Sequence, residues 1–204
     1  MARVRGSGGR PEPFITVVIP TITGREHWLT KCSNSYHMTT GSIYIQKIIL
    51  KDRPSCAVAW NEGIAEAKAP FIHLSADDLV AHPGWWQAAE TATDYVPAPM
   101  ILNTDGSLQS CGDADEVPDG TECEVARIPW ASTELMRAIG PFPEDIHYYT
   151  DNWFSFRCRA FGYPSKVLQS YLFTHHLAPE GRERADAGLH HDKVLYDRHV
   201  RRAR

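Results

Sequence analysis

Apolar, β-branched runs alternate with segments of helical periodicity in the first part of the chain. Runs over 14–20, 43–50 and 71–74 predict three buried strands. Helices are predicted between them, one from about Glu26 and one from Ser55, whose side chain is a good N-cap. The resulting β-α-β-α-β order implies a parallel sheet with right-handed crossovers.

Shorter apolar runs and more turn signals mark the second part of the chain. Asp105-Gly106 lies between apolar residues and predicts a β-hairpin. The other predicted elements are strands over 122–130 and 167–174, and helices over 132–139, 151–161 and 189–199.

The composition is that of an ordinary globular protein, with 204 residues, 43% hydrophobic and 23% charged. We expect one α/β domain over 13–180, with a central, mostly parallel sheet flanked by helices. A disordered leader over 1–12 would precede it, and a basic, helical tail over 181–204 would follow it. The leader has basic residues but no hydrophobic segment behind them, so it is not expected to be a secretory signal.

Charge and cysteine usage narrow the class of protein further. The net charge of −4 gives no general reason to expect nucleic-acid binding, and no apolar run approaches the length of a membrane span. The five cysteines include no Cys-x-x-Cys pair, which argues against a zinc ribbon or a redox site. Reduced thiols in a cytoplasmic protein are therefore predicted, and a Cys111–Cys123 bridge stays open on proximity alone.

Two adjacent carboxylates, Asp77 and Asp78, follow the third predicted strand. In open α/β sheets, ligands bind at the carboxyl ends of the strands. Carboxylate oxygens are ligands for a hard divalent cation, which can in turn hold a diphosphate. Two hypotheses are open for the pair: a metal site in an enzyme that acts on a nucleotide, or a cap for a helix around 82–93.

Six motifs occur in a fixed order over about residues 14–177. They are Val17-Val18-Ile19-Pro20-Thr21, Asp52, Asn61-Glu62-Gly63-Ile64-Ala65-Glu66-Ala67, Leu74-Ser75-Ala76-Asp77-Asp78, Gly140-Pro141-Phe142-Pro143-Glu144, and Thr150-Asp151 through Arg157 to Gly162-Tyr163. In this order and spacing the chain resembles a family-2 glycosyltransferase with the A-type nucleotide-sugar-binding fold. The resemblance implies a metal-dependent enzyme that moves a sugar from a nucleoside diphosphate to an acceptor hydroxyl.

The resemblance also implies a Mn²⁺ or Mg²⁺ ion at Asp77, where it would bridge to the donor diphosphate. His175 or His176, after the last predicted strand, would lie at the metal or at the diphosphate. Asp78 is either an acid beside the metal or a helix cap. Ser75 departs from the pattern by replacing the first acid of the usual Asp-x-Asp, which bears on metal binding.

The donor nucleotide is expected to contact Thr21, Arg25, Asp52, Asn61 and Ala76. By the resemblance, Asp52 would accept a hydrogen bond from the nucleobase, and otherwise it is a loop acid. Asn61 would face the nucleotide, or it is a satisfied polar group on its helix.

Asp151 is the candidate base of an inverting transfer, which needs a carboxylate to take the proton of the acceptor hydroxyl. The alternative is that Asp151 caps the helix that follows it. Glu144-Asp145 is a rival acidic pair. Trp130 and Trp153 would stack on the acceptor, unless they belong to the core.

Other functions stay open beside this one. A retaining glycosyltransferase would share the fold, and a module impaired by Ser75 would only bind a nucleotide or a glycan. His190-His191-Asp192 with His199 loosely resembles a metal nuclease, but the two-strand-and-helix metal motif is absent around it. The acceptor would be a glycan, a protein or a small molecule. It would be recognised by loops, by the tail or by a partner subunit, and the partner could be a second copy of the chain in a homo-oligomer.

Overall fold

A computed structural model describes residues 11–91, 93–109, 118–176 and 179–204. In chain order the elements are β1 Ile15–Thr21, α1 Glu26–Thr39, β2 Ile45–Lys51, α2 Cys56–Glu66, β3 Phe71–Leu74, β4 Leu79–Ala81, α3 Gln87–Thr91, β5 Val96–Asn103, β6 Leu108–Gln109, β7 Glu122–Cys123, β8 Trp130–Ser132, α4 Thr133–Ala138, α5 Thr150–Ala160, β9 Ser165–His175 and α6 Pro179–Ala203. Residues 1–10 of the predicted leader and Cys111 of the bridge hypothesis lie outside the described residues.

Local sequence signals account for several of these boundaries. Ser55 caps α2 by accepting a hydrogen bond from the Val58 N–H at 3.2 Å. Ser132 caps α4 in the same way. The predicted hairpin joins β5 to β6, and its turn holds Gly106 at a φ of +84°, a left-handed conformation that favours glycine. The helix predicted over 189–199 is present within the longer α6.

The described strands form two sheets that are flanked by helices. In the first sheet the order is β2-β1-β3-β8, with β1, β2 and β3 parallel and β8 antiparallel to β3. In the second the order is β4-β9-β5-β6, and β7 also pairs with β9. The predicted α/β fold is confirmed, but the strands do not form one central sheet. The strand predicted over 122–130 is replaced by β7 and β8, which belong to different sheets because β7 pairs with β9 and β8 with β3.

Both faces of the first sheet are covered by core side chains. Val18 of β1 packs into a cluster with α2, α4 and α5, whereas Val17 and Ile19 point to a second cluster on the opposite face. Because both faces are buried, the sequence of β1 is a continuous apolar run and does not alternate between apolar and polar residues. Within the described residues, no helix combines the length and the apolar composition that crossing a bilayer requires.

Gly63 lies where α2 packs directly on β1. A Cβ atom at this position would lie 2.7 Å from Cγ2 of Val18 and closer still to Cγ1. Gly63→Ala should therefore overpack the core and lower the free energy of unfolding by about 1–2 kcal/mol, net of the ~1 kcal/mol that alanine gains in helix propensity. Denaturant unfolding measures the change. Ala65→Ser, on the exposed side of the same helix, is the control, and an unchanged midpoint for Gly63→Ala would contradict the expected clash.

Candidate active site

The carboxyl ends of β1, β2 and β3 meet at one edge of the first sheet. The parallel register places Thr21 beside Lys51, the residue before Asp52. The Asp52 N–H donates to the Thr21 carbonyl at 2.9 Å, and the Thr21 hydroxyl donates to Asp77 Oδ2 at 2.7 Å. Three of the residues expected at the donor and the metal are thus brought together by the topology.

Asp77 is only 5% exposed, and its carboxylate is engaged by a guanidinium. Arg25 Nη2 lies 2.6 Å from Asp77 Oδ1, and Arg25 Nε lies 2.9 Å from Oδ2. This bidentate geometry gives the strongest kind of arginine–carboxylate pair. The contact to Asp77 raises the pKa of Arg25 against the opposing effect of burial, so the guanidinium stays charged.

Asp78 shares the same guanidinium and also contacts a histidine. Its Oδ2 lies 2.9 Å from Arg25 Nη2, and its Oδ1 lies 3.4 Å from His175 Nε2. The antiparallel pairing of β4 with β9 explains the second contact, because Leu79 is opposite His175. Burial alone would raise the pKa of Asp78, but His175 and Arg25 outweigh burial and lower it to about 2.

The helix-cap hypothesis for the two carboxylates is wrong. The residues that follow Asp78 form β4, and α3 begins only at Gln87. The Asp77 and Asp78 side chains bind Arg25 instead of a helix N-terminus.

Ser75, which replaces the first acid of the family pattern, points into the core. It is 1% exposed, and its hydroxyl lies 2.8 Å from the Tyr36 hydroxyl. The Tyr36 hydroxyl in turn lies 2.7 Å from Nε2 of His73. Burial lowers the pKa of His73 to about 3, so this histidine is neutral. A carboxylate in place of Ser75 would enter a neutral, desolvated network, which opposes its ionisation.

A hard cation fits the donor chemistry of this edge. Two carboxylates and an imidazole, from Asp77, Asp78 and His175, are ligand types that Mg²⁺ and Mn²⁺ accept. The place between the carboxylates is taken by the Arg25 guanidinium, so a metal ion would have to exchange with it. Among the described residues, no group of three or more His, Cys, Asp or Glu side chains is already arranged around a metal position.

His176 lies next to this cluster rather than within it. Its backbone N–H donates to the Asp78 carbonyl at 2.9 Å, and its ring lies 5.1 Å from that of Trp28. Burial and the nearby Lys31 lower the pKa of His176, which favours a neutral ring.

Asp52 ties the loop after β1 to the end of β2. It adopts a φ of +56°, and its two oxygens accept hydrogen bonds from the Thr23 N–H and hydroxyl, each at 2.7 Å. These bonds lower the pKa of Asp52 and keep its exposed carboxylate ionised. The Asp52 carboxylate is thus an oriented hydrogen-bond acceptor at this edge.

Asn61 and Ala76 have structural partners of their own. The Asn61 amide bonds to both the N–H and the carbonyl of Phe142, at 2.8 and 2.9 Å, and so holds the Gly140–Glu144 motif against α2. The Ala76 carbonyl accepts from the Cys32 thiol at 3.3 Å. Asn61 is thus a satisfied polar group in the structure, and its contact with a nucleotide stays a prediction.

Asp151 lies in the first turn of α5 and is half-buried. The N-cap position is Tyr149, with a φ of +64°, so Asp151 is not the cap. Burial raises the pKa of Asp151 above its ordinary value, against the opposing effect of Arg127. A carboxylate with a raised pKa is better matched to general-base work near neutrality.

The charges of both candidate acids act on Cys56, a half-buried residue at the start of α2. Desolvation raises the pKa of its thiol to about 12, and the charges of Asp151 and, more weakly, Asp77 act in the same direction. The rival acid Asp145 instead lies 2.7 Å from Nε2 of His199.

The two tryptophans expected at the acceptor lie in the core. Trp130 is 1% exposed and packs against His73, and Trp153 is 8% exposed and packs against Phe156. Neither ring presents an open face for stacking in this conformation.

Asp192 of α6 is a buried residue that the sequence connected only with the nuclease hypothesis. Its Oδ2 accepts hydrogen bonds from the N–H groups of His147 and Tyr148, each at 2.8 Å. Because two backbone N–H groups occupy Oδ2, this oxygen is not an open metal ligand. The only sequence signal was the helical spacing of Gly188, Asp192, Tyr196 and His199 along one side of the tail.

Comparison with solved structures supports the fold. The chain matches S. aureus TarS 1-349 with a TM-score of 0.60 at 12% identity, over 79% of this chain and 60% of that one. The match to TarS 1-349 in complex with UDP has a TM-score of 0.58 at 13% identity, over 81% and 61%. The match to its complex with UDP-GlcNAc has a TM-score of 0.60 at 12% identity, over 79% and 58%.

The chain therefore has the A-type glycosyltransferase fold of TarS. It spans about 60% of the length of the TarS 1-349 structure. No protein-family model matches the chain, and no curated protein matches it in sequence.

Proposed function

We propose that this chain is a glycosyltransferase that uses a nucleoside-diphosphate sugar as donor and an acceptor hydroxyl as nucleophile. One observation carries the proposal: Arg25 binds the adjacent carboxylates of Asp77 and Asp78 at the carboxyl ends of parallel strands, where ligands bind in open α/β sheets. The TarS complexes with UDP and UDP-GlcNAc make a UDP-sugar the first donor to test.

On the donor side, Asp52 accepts a hydrogen bond from the base, and Arg25 binds the diphosphate. A guanidinium pairs with phosphate oxygens through the same two-pronged geometry that it uses with Asp77. A divalent cation, Mg²⁺ or Mn²⁺, would be held by Asp77 and Asp78, with His175 beside them. When bound, it would offset the charge of the departing diphosphate.

On the acceptor side, Asp151 accepts the proton of the attacking hydroxyl. The new bond forms between the hydroxyl oxygen and the anomeric carbon as the bond to the diphosphate oxygen breaks on the opposite face. This course inverts the anomeric configuration. The retaining alternative needs no base at this position and is distinguished by the configuration of the product.

The test is a panel of nucleotide sugars assayed for thermal stabilisation and for turnover, with added Mg²⁺ or Mn²⁺ and with excess chelator. A bound donor raises the melting temperature because it binds only the native state. We expect binding and cation-dependent release of the nucleoside diphosphate. Binding without turnover would favour the nucleotide- or glycan-binding module, and no binding across the panel would contradict the proposal.

Asp52→Ala should weaken donor binding about tenfold, as the loss of a hydrogen bond to the base implies. The same change also deletes the two hydrogen bonds that Thr23 donates to Asp52, so a modest fall in the unfolding midpoint is expected beside the loss of donor affinity. Calorimetric titration with the donor identified in the panel measures the effect. Glu66→Ala, another exposed acid, is the control, and an unchanged affinity in Asp52→Ala would make Asp52 a loop acid only.

A further inference from the structure

One carboxylate of the C-terminal helix holds the chain just ahead of Asp151. Asp192 is 6% exposed, and its Oδ2 accepts from two consecutive N–H groups, those of His147 and Tyr148, at 2.8 Å each. Consecutive N–H groups that converge in this way form an anion-binding concavity. Here the anion is a side chain of the protein itself.

The same helix makes further contacts with residues 145–149, which we call the 145–149 segment. The Tyr196 ring stacks on that of Tyr149, with centroids 5.7 Å apart and planes at 23°. His199 Nε2 also lies 2.7 Å from Asp145 Oδ1. The Gly188 backbone packs so closely on Tyr148 that a Cβ atom at position 188 would lie 2.6 Å from the Tyr148 ring.

From the other side, α2 holds the residues around this segment. Ser55 Oγ donates to the Glu144 carbonyl at 2.9 Å, and the Cys56 N–H donates to Nδ1 of His147 at 3.2 Å. The 145–149 segment is thus held between α2 on one side and α6 on the other.

The conformation that these contacts maintain is an unfavourable one. Tyr149 has a φ of +64°, which is rare for a large residue, and among the described residues no side chain caps α5 at this point. Asp151 follows two residues later, so the path of the 145–149 segment determines where its carboxylate lies.

We propose that Asp192 is a positioning residue: by binding the His147 and Tyr148 N–H groups, it holds Asp151 in place for the acceptor. The inference rests on the proposed function, in which Asp151 is the base. It gives α6 a role in the chemistry of the site, through the backbone alone and without contact to a substrate.

The test compares Asp192→Ala and Asp192→Asn with Asp197→Asn, which removes an exposed acid paired with Lys193 on the same helix. Asp192→Ala should lower kcat about 10- to 100-fold, as expected for a misplaced catalytic group, while the donor Kd stays unchanged. Hydrogen exchange at the His147 and Tyr148 amides should become faster. The kcat of Asp192→Asn should fall only about 3- to 10-fold, because its amide oxygen still accepts the two hydrogen bonds, although more weakly than a carboxylate does. Asp197→Asn should behave like the wild type.

Wild-type kcat in Asp192→Ala would overturn the proposal, as would unchanged exchange at the two amides. Equal losses in kcat and in donor affinity would also overturn it, since they would indicate general loosening. If Asp192→Ala does not fold, a wild-type kcat in Asp192→Asn would overturn the proposal instead. Failure of the proposed function is recognised separately, because the wild type would then turn over no donor, whereas amide exchange still reports on Asp192.

Discussion

Asp77→Asn is expected to reduce donor turnover by about 100-fold or more, in the range seen when one preorganised electrostatic group is removed from an active site. The variant loses the anionic oxygen that would hold a divalent cation, and it leaves Arg25 with an amide in place of its main partner. Because Asp77 is buried, we also expect the free energy of unfolding to fall by about 1–3 kcal/mol. Steady-state turnover with Mg²⁺ or Mn²⁺ and denaturant unfolding measure the two effects.

Asp78→Asn is the matched comparison for this change. It removes the neighbouring carboxylate but keeps the two-pronged contact between Arg25 and Asp77, so its loss of turnover should be smaller. Near-wild-type turnover in Asp77→Asn would remove Asp77 from the site. Full wild-type activity in excess chelator would contradict the proposed divalent cation, and Arg25 alone would then be the positive group that faces the diphosphate.

Arg25 shows what the sequence could and could not predict about the donor edge. Its position after a buried strand was enough to place it at the carboxyl edge of the sheet, where phosphate contacts are expected. Its partner could not be identified, because Asp77 is 52 positions away and the pair forms only when β1 and β3 become neighbours. Charge patterns along the chain do not indicate that a guanidinium lies where a metal ion was expected.

The regular elements were predictable where local chemistry decides them. Ser55 lies just ahead of α2 as its cap, and Gly106 allows the left-handed turn that closes the β5–β6 hairpin. The short β4 was missed, since its three residues pair only with the distant β9. The covering of Trp130 by His73 and other rings is likewise a tertiary effect, and no pattern in the sequence separates it from an exposed aromatic residue.

The motif residues are explained by the structure to different degrees. Gly63 is required because α2 and β1 approach too closely for a Cβ. Asn61 holds the loop around Phe142, so this motif residue stabilises the fold whether or not it reaches a nucleotide. Ser75 is hydrogen-bonded to Tyr36 in the core. Any cation at this edge would therefore be bound by Asp77 and Asp78 rather than by residue 75.

Asp151→Asn should lower transfer by about 10²- to 10⁴-fold, the usual contribution of a general base. The amide keeps the shape of the side chain but cannot accept the proton, so the donor Kd should stay close to that of the wild type. Asp145→Asn is the comparison: it neutralises the rival acid and weakens one of several contacts of the 145–149 segment, so its loss of transfer should be much smaller. Single-turnover transfer and calorimetric titration separate the effect on chemistry from the effect on binding.

The pH dependence gives the base assignment a second, independent test. Burial raises the pKa of Asp151, and only its ionised form takes a proton, so wild-type transfer should fall as the pH drops through that raised pKa. The residual transfer of Asp151→Asn should lack this acidic limb, whereas Asp145→Asn should keep it. An unchanged rate or an unchanged limb in Asp151→Asn would contradict the assignment. A product that keeps the donor's anomeric configuration would do the same, and the retaining mechanism would then replace the inverting one.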